Sequence, residues 1–455
     1  MATAFFTSTD GGAALPEAVL ETLRSAELLA RHGVAPVDLQ IMCFAFTDRA
    51  IAERLVAAAR DNPRLIIRVI ADWSQSAPGK GSVLGWMAGQ RLANLVVKFK
   101  IDAPYVRDAQ TGRMVWSYGA SLGMLHHKTM LVRHGRAPVA LLMGSYNWSA
   151  RGTRAYENLV LVEAGEATLP VLASFDAEFE ALWADHRLTA APGRASRILE
   201  RLRSELAQDD RRDDPAFLND IFGAHGPVLP GGAAPVRPVV AGPRRQVAPD
   251  APVAVFSGQI PGEATARAGF AVANDRRALL LQRPGGGARP APLTLNTIAL
   301  QAIRAVPAGA RLCLAMYALS PRVPEFGALL EAARRGVRLR LLLDRTIGAG
   351  LAAALADLAA REGLALEVRT SGRRMHQKYL LCPDTAMVLT GTANMTRDAT
   401  LRHADHRVLF PAAPGLARAF ERDFATIWDR LAPASAKAPG AQPSQPGAQP
   451  ALVPA

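Results

Sequence analysis

An internal repeat restricts the possible folds of this chain more than any other feature of its sequence. In the first half, the apolar run LQIMCFAFTD precedes the helical pattern AIAERLVAAARDN and a second apolar run, RLIIRVIAD, that ends at Asp72. In the second half, ARLCLAMYALSP, EFGALLEAARRG and VRLRLLLD follow in the same order and end at Asp344. Near-continuous apolar strands are typical of sheets that are buried on both faces. The repeat therefore predicts an α/β fold with two pseudo-symmetric sandwich domains.

Both repeats continue with the same pair of short motifs, a His-x-Lys pair followed by an apolar strand and Gly-Ser/Thr-x-Asn. The motif residues are His126, Lys128, Ser145 and Asn147 in the first copy, and His376, Lys378, Thr392 and Asn394 in the second. The chain has 9 histidines and 6 lysines in 455 residues. Composition alone then predicts about 0.1 His-x-Lys pairs. The duplicated pattern is therefore a specific signal, whereas a single pair would be a weak one.

These residue types have a common chemistry. On a strand, residues two apart point to the same face, so each histidine should project together with its lysine. Ammonium and amide groups suit the non-bridging oxygens of a phosphate. An imidazole can attack phosphorus or protonate a leaving oxygen, but one imidazole cannot readily do both on opposite sides of an in-line displacement. Two facing copies can, which predicts one shared site between the halves.

The two motifs resemble the signature of the phospholipase D superfamily, His-x-Lys-x4-Asp followed by Gly-Ser/Thr-x-Asn, over roughly residues 1–190 and 290–432. This resemblance implies two phospholipase D-like domains that share one active-site cleft, a covalent phosphohistidine, and no metal or other cofactor. It implies that His126 is the nucleophile and His376 the general acid. The remaining implied contacts to phosphate come from Lys128, Lys378, Asn147 and Asn394, assisted by Ser145 and Thr392. The segment GSYNWSARGTRAYENLVLV is similar to the endonuclease and cardiolipin-hydrolase branch.

The signature aspartate is missing from both copies. Arg133 stands at its place in the first copy and Pro383 in the second, with Asp384 one residue late. A carboxylate that fixes the imidazole tautomer would still be useful, because it stabilises imidazolium as charge develops. Glu157 and Asp405, 10 and 11 residues beyond their asparagines, are the candidates for this role. The alternative for each is a solvated acid at the start of a strand.

Charge and composition restrict the partners and the compartment. Residues 251–455 carry 25 basic and 14 acidic side chains, whereas residues 1–190 carry 19 and 18. A field of this kind favours polyanions such as nucleic acid or an anionic membrane surface, although an arginine-rich compositional bias is an equal alternative. The three cysteines follow no metal or disulfide spacing. No secretory signal or membrane-spanning run is apparent, so the expected location is cytoplasmic.

Together these patterns predict one domain at 1–190 and another at 251–432. A helix and a Pro/Gly-rich linker at 191–250 join them, and a disordered tail follows at 433–455. The expected function is a metal-independent phosphodiesterase, with nucleic acid favoured as substrate. A phospholipase D-type hydrolase or transferase of phospholipid head groups and a non-catalytic polyanion-binding protein are the alternatives. Because one chain supplies both halves of the site, we expect a monomer.

Overall fold

The computed structural model of the chain describes residues 1–76, 82–100, 105–107, 114–116, 124–184, 189–191, 251–256, 295–396, 399 and 403–434. The predicted linker at 191–250 lies outside these residues except for its first position, as does the predicted tail beyond residue 434. Among the helices in the described ranges, none has the length and apolar character of a membrane span. The three cysteines are free and buried.

The first half forms an eight-stranded mixed sheet of order β1-β9-β8-β7-β2-β3-β4-β10, beside a separate β5-β6 hairpin. Its strands are β1 Ala2–Phe6, β2 Val37–Cys43, β3 Leu65–Asp72, β4 Leu95–Lys100, β5 Tyr105–Arg107, β6 Met114–Trp116, β7 Lys128–His134, β8 Ala137–Gly144, β9 Asn158–Glu163 and β10 Thr189–Ala190. Its helices are α1 Ala14–His32, α2 Arg49–Asp61, α3 Val83–Gly89 and α4 Leu169–Ala184. Short 3-10 turns cover Trp73–Ser76 and Gly152–Arg154.

The second half forms a seven-stranded mixed sheet of order β11-β17-β16-β15-β12-β13-β14. Its strands are β11 Val253–Phe256, β12 Arg311–Met316, β13 Arg338–Asp344, β14 Leu366–Ser371, β15 Lys378–Cys382, β16 Met387–Gly391 and β17 His406–Phe410. Its helices are α5 Leu295–Arg304, α6 Pro324–Arg334, α7 Arg345–Glu362 and α8 Pro414–Trp428, with a 3-10 turn at Pro383–Thr385. Position by position, this order repeats that of the first seven strands in the other sheet, which confirms the α/β fold with two equivalent domains.

The two sheets share a hydrophobic core. Helices α1 to α3 cover the outer face of the first sheet, and α5 to α7 cover the outer face of the second. The inner faces bury a single cluster that draws side chains from both halves, including α4 and α8. Phe6 of β1, for example, packs edge-to-face against Phe420 of α8, with ring centroids 4.9 Å apart. Burial of apolar surface therefore holds the two halves together.

The equivalent strands β3 and β13 both end in an aspartate that holds the next motif in place. The Asp72 carboxylate accepts a hydrogen bond from the backbone amide of Leu125 at 2.7 Å, and the Asp344 carboxylate accepts one from the amide of Met375 at 3.0 Å. Each of these amides belongs to the residue directly before a motif histidine. The strand ends thus fix the chain at the point where it enters the site.

Candidate active site

Backbone hydrogen bonds join each His-x-Lys motif to the opposite half of the chain. The amide of His126 donates to the carbonyl of Ala404 at 2.9 Å, and the amide of His376 donates to the carbonyl of Tyr156 at 3.0 Å. Each carbonyl belongs to the residue directly before one of the two candidate acids. The pairing therefore carries the acid of one half to the histidine of the other.

The result is two crossed histidine–carboxylate pairs. His126 Nδ1 lies 2.7 Å from Asp405 Oδ1, and His376 Nδ1 lies 2.7 Å from Glu157 Oε1. The two imidazole centroids are 6.5 Å apart, and none of the four side chains is more than 8% exposed. A neutral ring that donates through Nδ1–H has an unprotonated Nε2. The structure therefore brings together two oriented imidazoles from distant parts of the sequence.

Both motif lysines are buried beside these rings. Lys128 Nζ donates to the carbonyl of His126 at 2.7 Å, and Lys378 Nζ donates to the carbonyl of His376 at 2.5 Å. Burial lowers the pKa of Lys128 to about 8, against the opposing charges of the two site carboxylates. Burial also lowers the pKa of Lys378. A bound phosphate anion would offset this desolvation and favour both ammonium forms.

The two crossed pairs differ in their proton affinity. Burial and the charge of Lys128 lower the pKa of His126 to about 3. Although burial opposes it, the interaction with His126 keeps the pKa of Asp405 low, so this pair is a neutral imidazole on an ionised carboxylate. Burial lowers the pKa of His376, and it raises that of Glu157 to about 7. The second pair can therefore hold a proton near neutral pH, which suits an acid.

The motif hydroxyls are fully buried. Ser145 Oγ donates to the side-chain oxygen of Asn158 and accepts from the backbone amide of Asn158, both at 3.0 Å. Thr392 Oγ1 accepts from the amide of His406 at 3.1 Å. Asn158 and His406 directly follow the two site acids. The hydroxyls therefore hold the strands that carry the acids.

The motif glycines explain why the strands can approach so closely at this point. A Cβ at Gly144 would lie 2.2 Å from the carbonyl oxygen of Asn158, and one at Gly391 would lie 2.3 Å from that of His406. Gly391 also has a φ of +155°, which few residues with a side chain adopt. Any larger residue would push β8 away from β9, or β16 away from β17, and displace the acids.

The motif asparagines are half-buried and lie just beyond these glycines. Asn394 Oδ1 accepts from the backbone amide of Ala318 at 3.3 Å. Asn147 Oδ1 is buried and has no hydrogen-bond partner within the described ranges. The two asparagines therefore occupy equivalent positions in the repeats but have different local partners.

Two aromatic rings flank the site and were missed by the motif comparison. The Phe44 ring centroid lies 5.4 Å from that of His126, and the Tyr317 centroid lies 5.2 Å from that of His376. Both rings are half-buried and directly follow equivalent strands, β2 and β12. The exposed Arg374 stacks on Tyr317 at 5.0 Å. Alignment of the repeats at CFAF and MYAL could have found this pair.

The positions of the missing signature aspartate serve other interactions. Arg133 Nη1 lies within 3.4 Å of three carboxylates, those of Asp38, Asp176 and Glu180. Pro383 begins the 3-10 turn, and the neighbouring Asp384 accepts from the amide of Arg311 at 2.6 Å. The carboxylates beside the two imidazoles come instead from Glu157 and Asp405.

Three further histidines lie near the motifs. His127 and His406 are fully buried and stack with their rings 20° from parallel, with Nδ1 atoms 2.9 Å apart. One belongs to each half, and His127 Nε2 lies 3.3 Å from Glu178 Oε1 of α4. His403 lies at the edge of the site, with its ring centroid 5.8 Å from that of His126. Within the described residues, the ligand atoms of His126, His403 and Asp405 all lie within 4.8 Å of one another, so this group could hold a metal ion.

Fold and site together define a two-domain α/β protein whose halves converge on one buried cluster of histidines, lysines and carboxylates. The sequence profile of the family described as "Cardiolipin synthase, PLD-like domain" matches residues 30–183 and 305–428. These segments cover more than half of the chain and include both His-x-Lys motifs. The chain therefore belongs to this family of phospholipase D-like proteins, as the motif resemblance predicted. None of the curated proteins compared with the chain matches it.

Several solved structures are similar to this chain to different degrees. Phosphatidylserine synthase from Haemophilus influenzae Rd KW20 is 12% identical, with a TM-score of 0.56 over 91% of this chain and 86% of that one. Nuc from Salmonella typhimurium, a phospholipase D family member, is 23% identical over 31% of this chain and 92% of its own, with a TM-score of 0.28. A yeast tyrosyl-DNA phosphodiesterase mutant is 8% identical over 90% of each chain, with a TM-score of 0.40. The first of these similarities supports the two-domain fold at full length.

Proposed function

We propose that this protein is a metal-independent phosphodiesterase that acts through a covalent phosphohistidine. The observation that carries the proposal is the pair of crossed histidine–carboxylate contacts, which leaves two imidazoles 6.5 Å apart between two buried lysines. An in-line displacement needs a nucleophile and an acid on opposite sides of phosphorus. Two neighbouring rings, nearly perpendicular to each other and each oriented by a carboxylate, meet this need.

In the first step, Nε2 of His126 attacks phosphorus and forms a P–N bond. The bond from phosphorus to the leaving oxygen breaks, and His376 donates the proton that this oxygen takes up. Asp405 stabilises the positive charge that develops on the His126 ring. The neutral state of His126 supports its role as nucleophile, since an imidazolium has no lone pair to attack with.

In the second step, His376 accepts a proton from a water molecule, whose oxygen attacks phosphorus while the P–N bond breaks. This returns both histidines to their starting states and releases the phosphomonoester. Lys128 and Lys378 neutralise charge on the non-bridging oxygens in both steps, which is the work that a divalent cation does in other phosphoryl-transfer enzymes. Asn147 and Asn394 supply further amide donors.

Trapping of the intermediate tests this mechanism. Brief incubation with a 32P-labelled phosphodiester, followed by acid-free denaturation, should leave label on the protein, because phosphoramidate bonds survive neutral and alkaline conditions better than acid. The label should be lost in His126→Asn. If no diester labels the wild-type chain, the non-catalytic alternative, a polyanion-binding protein on the same fold, is favoured.

For the substrate, we propose nucleic acid as the first candidate. The excess of basic over acidic side chains in residues 251–455 supports it. So does the exposed Arg374 stacked on Tyr317 at the site, because an arginine and an aromatic ring together suit a phosphate and a base. Binding of single-stranded DNA should weaken steeply with salt, with a slope of about 0.7 per phosphate contact. A flat salt response would contradict a polynucleotide substrate.

Hydrolysis or transfer of phospholipid head groups is the second candidate, favoured by the description of the matching family as a cardiolipin synthase domain. Separate incubations with single-stranded DNA, duplex DNA, RNA and phospholipid vesicles, all in EDTA, would distinguish the two. Release of nucleotides supports the first candidate. Formation of phosphatidic acid or of a transfer product supports the second, with an anionic membrane surface as partner.

The monomeric state and the cytoplasmic location also remain proposals. Both crossed pairs are completed within one chain, so a second copy is not needed to assemble the site. Light scattering after size-exclusion chromatography would test the monomer. Fractionation of the producing cells would test the location.

A further inference from the structure

The surroundings of the two crossed pairs are not equivalent, although the repeats are. Leu125 pairs with Ala404 across the interface, and Met375 pairs with Tyr156 in the same way. His403 directly precedes Ala404, and Ala155 directly precedes Tyr156. His403 and Ala155 therefore occupy equivalent positions in the two halves. Within the described residues, a third imidazole therefore lies beside His126, whereas Ala155 occupies the equivalent position beside His376. The repeat itself shows that the pairing of a histidine with its acid does not require this imidazole.

The distance between His403 and Asp405 is close to the separation of two ligands of one metal ion. His403 Nδ1 lies 3.6 Å from Asp405 Oδ2, which is longer than an ordinary N–H···O bond. Two ligands of one tetrahedral zinc ion, each about 2.0–2.1 Å from the metal, lie about 3.4 Å apart. The second oxygen of the same carboxylate lies 2.7 Å from His126 Nδ1. Each of the three side chains therefore places a ligand atom within 4.8 Å of the other two.

The chemistry and burial of the three groups also suit a transition metal. Two imidazoles and one carboxylate are a common protein ligand set for zinc, and they leave a further position for water. The side chain of Asp405 is fully buried, whereas those of His126 and His403 are 8% and 13% exposed. An ion could therefore enter from the side of the cleft and meet a carboxylate that is screened from water.

From these contacts we propose that His126, His403 and Asp405 form an inhibitory binding site for Zn²⁺ or a similar divalent transition metal. Binding through Nδ1 of His126 displaces the proton that this atom donates to Asp405. The proton moves through solvent to Nε2, so the ring stays neutral, and the lone pair that would attack phosphorus is lost. The consequence for activity rests on the proposed function, whereas metal binding does not. The buried ammonium of Lys128 disfavours a second positive charge nearby, which predicts a reversible rather than a permanent site.

Metal binding by the full-length protein tests the proposal without any assay of activity. Isothermal titration with ZnCl2 should show one ion per chain, and Co²⁺ should give the absorption bands of a low-coordinate nitrogen and oxygen site. His403→Ala makes this half resemble the other and should weaken binding roughly tenfold or more. His32→Ala, which removes an exposed histidine, is the matched control and should bind as the wild type does. No binding, or equal binding by His403→Ala, overturns the proposal.

The tautomer of His126 gives a second, spectroscopic readout. In histidine-labelled protein, 15N NMR should show the protonated nitrogen of His126 changing from Nδ1 to Nε2 on addition of zinc. Where the chain cleaves a diester, zinc should inhibit the wild type and His32→Ala, and EDTA should restore the rate. The ratio of rates with and without zinc should approach one in His403→Ala. If zinc binds but the tautomer and this ratio are unchanged, the ion does not act through His126, and the inhibitory assignment is wrong.

Discussion

The pair formed by His376 and Glu157 should control the pH dependence of bond cleavage. With Glu157 near pKa 7, the pair holds two protons below that pH, one on the carboxyl group and one on the imidazole, and the imidazole proton can then lie on Nε2. Above it, Glu157 is ionised, the remaining proton stays on Nδ1, and Nε2 has none to donate. The charged or titratable groups that face this pair are Lys378, Lys128, Arg374 and His126. In the proposed mechanism, the general acid is therefore lost as pH rises.

We expect kcat/KM to fall as pH increases through about 7. Glu157→Gln should remove this transition and lower the rate by roughly 10²-fold or more, because the relay of a proton through the carboxyl group is lost. Rates measured across pH 5.5 to 9 (approximate limits of a standard buffer series) would check both effects. Asp405→Asn is the matched control. It should slow the reaction yet keep the transition, since Asp405 is ionised throughout this range.

The proposed roles of the two histidines predict different behaviour of their variants. His376→Asn should still form the adduct with a p-nitrophenyl diester, whose leaving group needs no proton, but should cleave an ordinary alkyl diester about 10² to 10⁴-fold more slowly. His126→Asn should form no adduct with either. Quench-flow trapping of labelled protein would measure this. The opposite pattern would make His376 the nucleophile.

Among single residues, the sequence could identify those whose identity carries the chemistry. His126, Lys128 and their counterparts were found because rare residue types recur at one spacing. The contrast between His403 and Ala155 could not be found in this way, because it depends on which strand lies opposite, and that pairing is set by contacts nearly 280 residues apart (279 for His126 and Asp405). The same is true of the two crossed contacts.

At the scale of elements, the aspartates that end β3 and β13 should stabilise the fold. Asp72→Ala leaves the buried amide of Leu125 without its acceptor and should lower the free energy of unfolding by about 1–3 kcal/mol. Asp344→Ala should cost about as much, because each aspartate also accepts from the backbone amide two residues further on, that of Ser74 or of Thr346. Urea denaturation followed by circular dichroism would measure these changes.

A matched variant makes the comparison specific. Asp384 also accepts from a backbone amide, that of Arg311, but at an exposed position where water can replace the carboxylate. Asp384→Ala should therefore destabilise the protein less than either strand-end variant. Equal losses of stability in all three variants would mean that the buried hydrogen bonds of Asp72 and Asp344 contribute no more than the exposed one of Asp384.

The central strands and main helices could be predicted because their apolar patterns are long and periodic. The first strands, β1 and β11, could not be placed, because short edge strands carry little pattern of their own and gain their hydrogen bonds from β9 and β17. The strand β10 consists of only two residues and pairs with β4. Such elements are defined by their neighbours rather than by their own residues.

At the scale of the whole molecule, the shared core predicts that the two halves unfold together. Phe420 is fully buried. Its ring centroid lies 4.9 Å from that of Phe6 in the other half and 4.8 Å from that of Tyr379 in its own half. Phe420→Ala should lower the free energy of unfolding by about 3–5 kcal/mol. Hydrogen exchange measured by mass spectrometry should show reduced protection on both sides of the interface. Leu28→Ala, at a position 56% exposed, should change stability by less than about 0.5 kcal/mol. Loss of protection confined to the second half would contradict a common core.

The exchange of carboxylates between the repeats also determines how such a duplicated chain can evolve. If each unit kept its own acid, a substitution of that acid would directly affect only the histidine of the same copy. Here the loss of Glu157 removes the carboxylate partner of His376, which lies 219 positions further along the polypeptide. A substitution of the acid in one copy therefore changes the surroundings of the histidine in the other. Lineages of this protein should show compensating pairs of substitutions that span the two repeats.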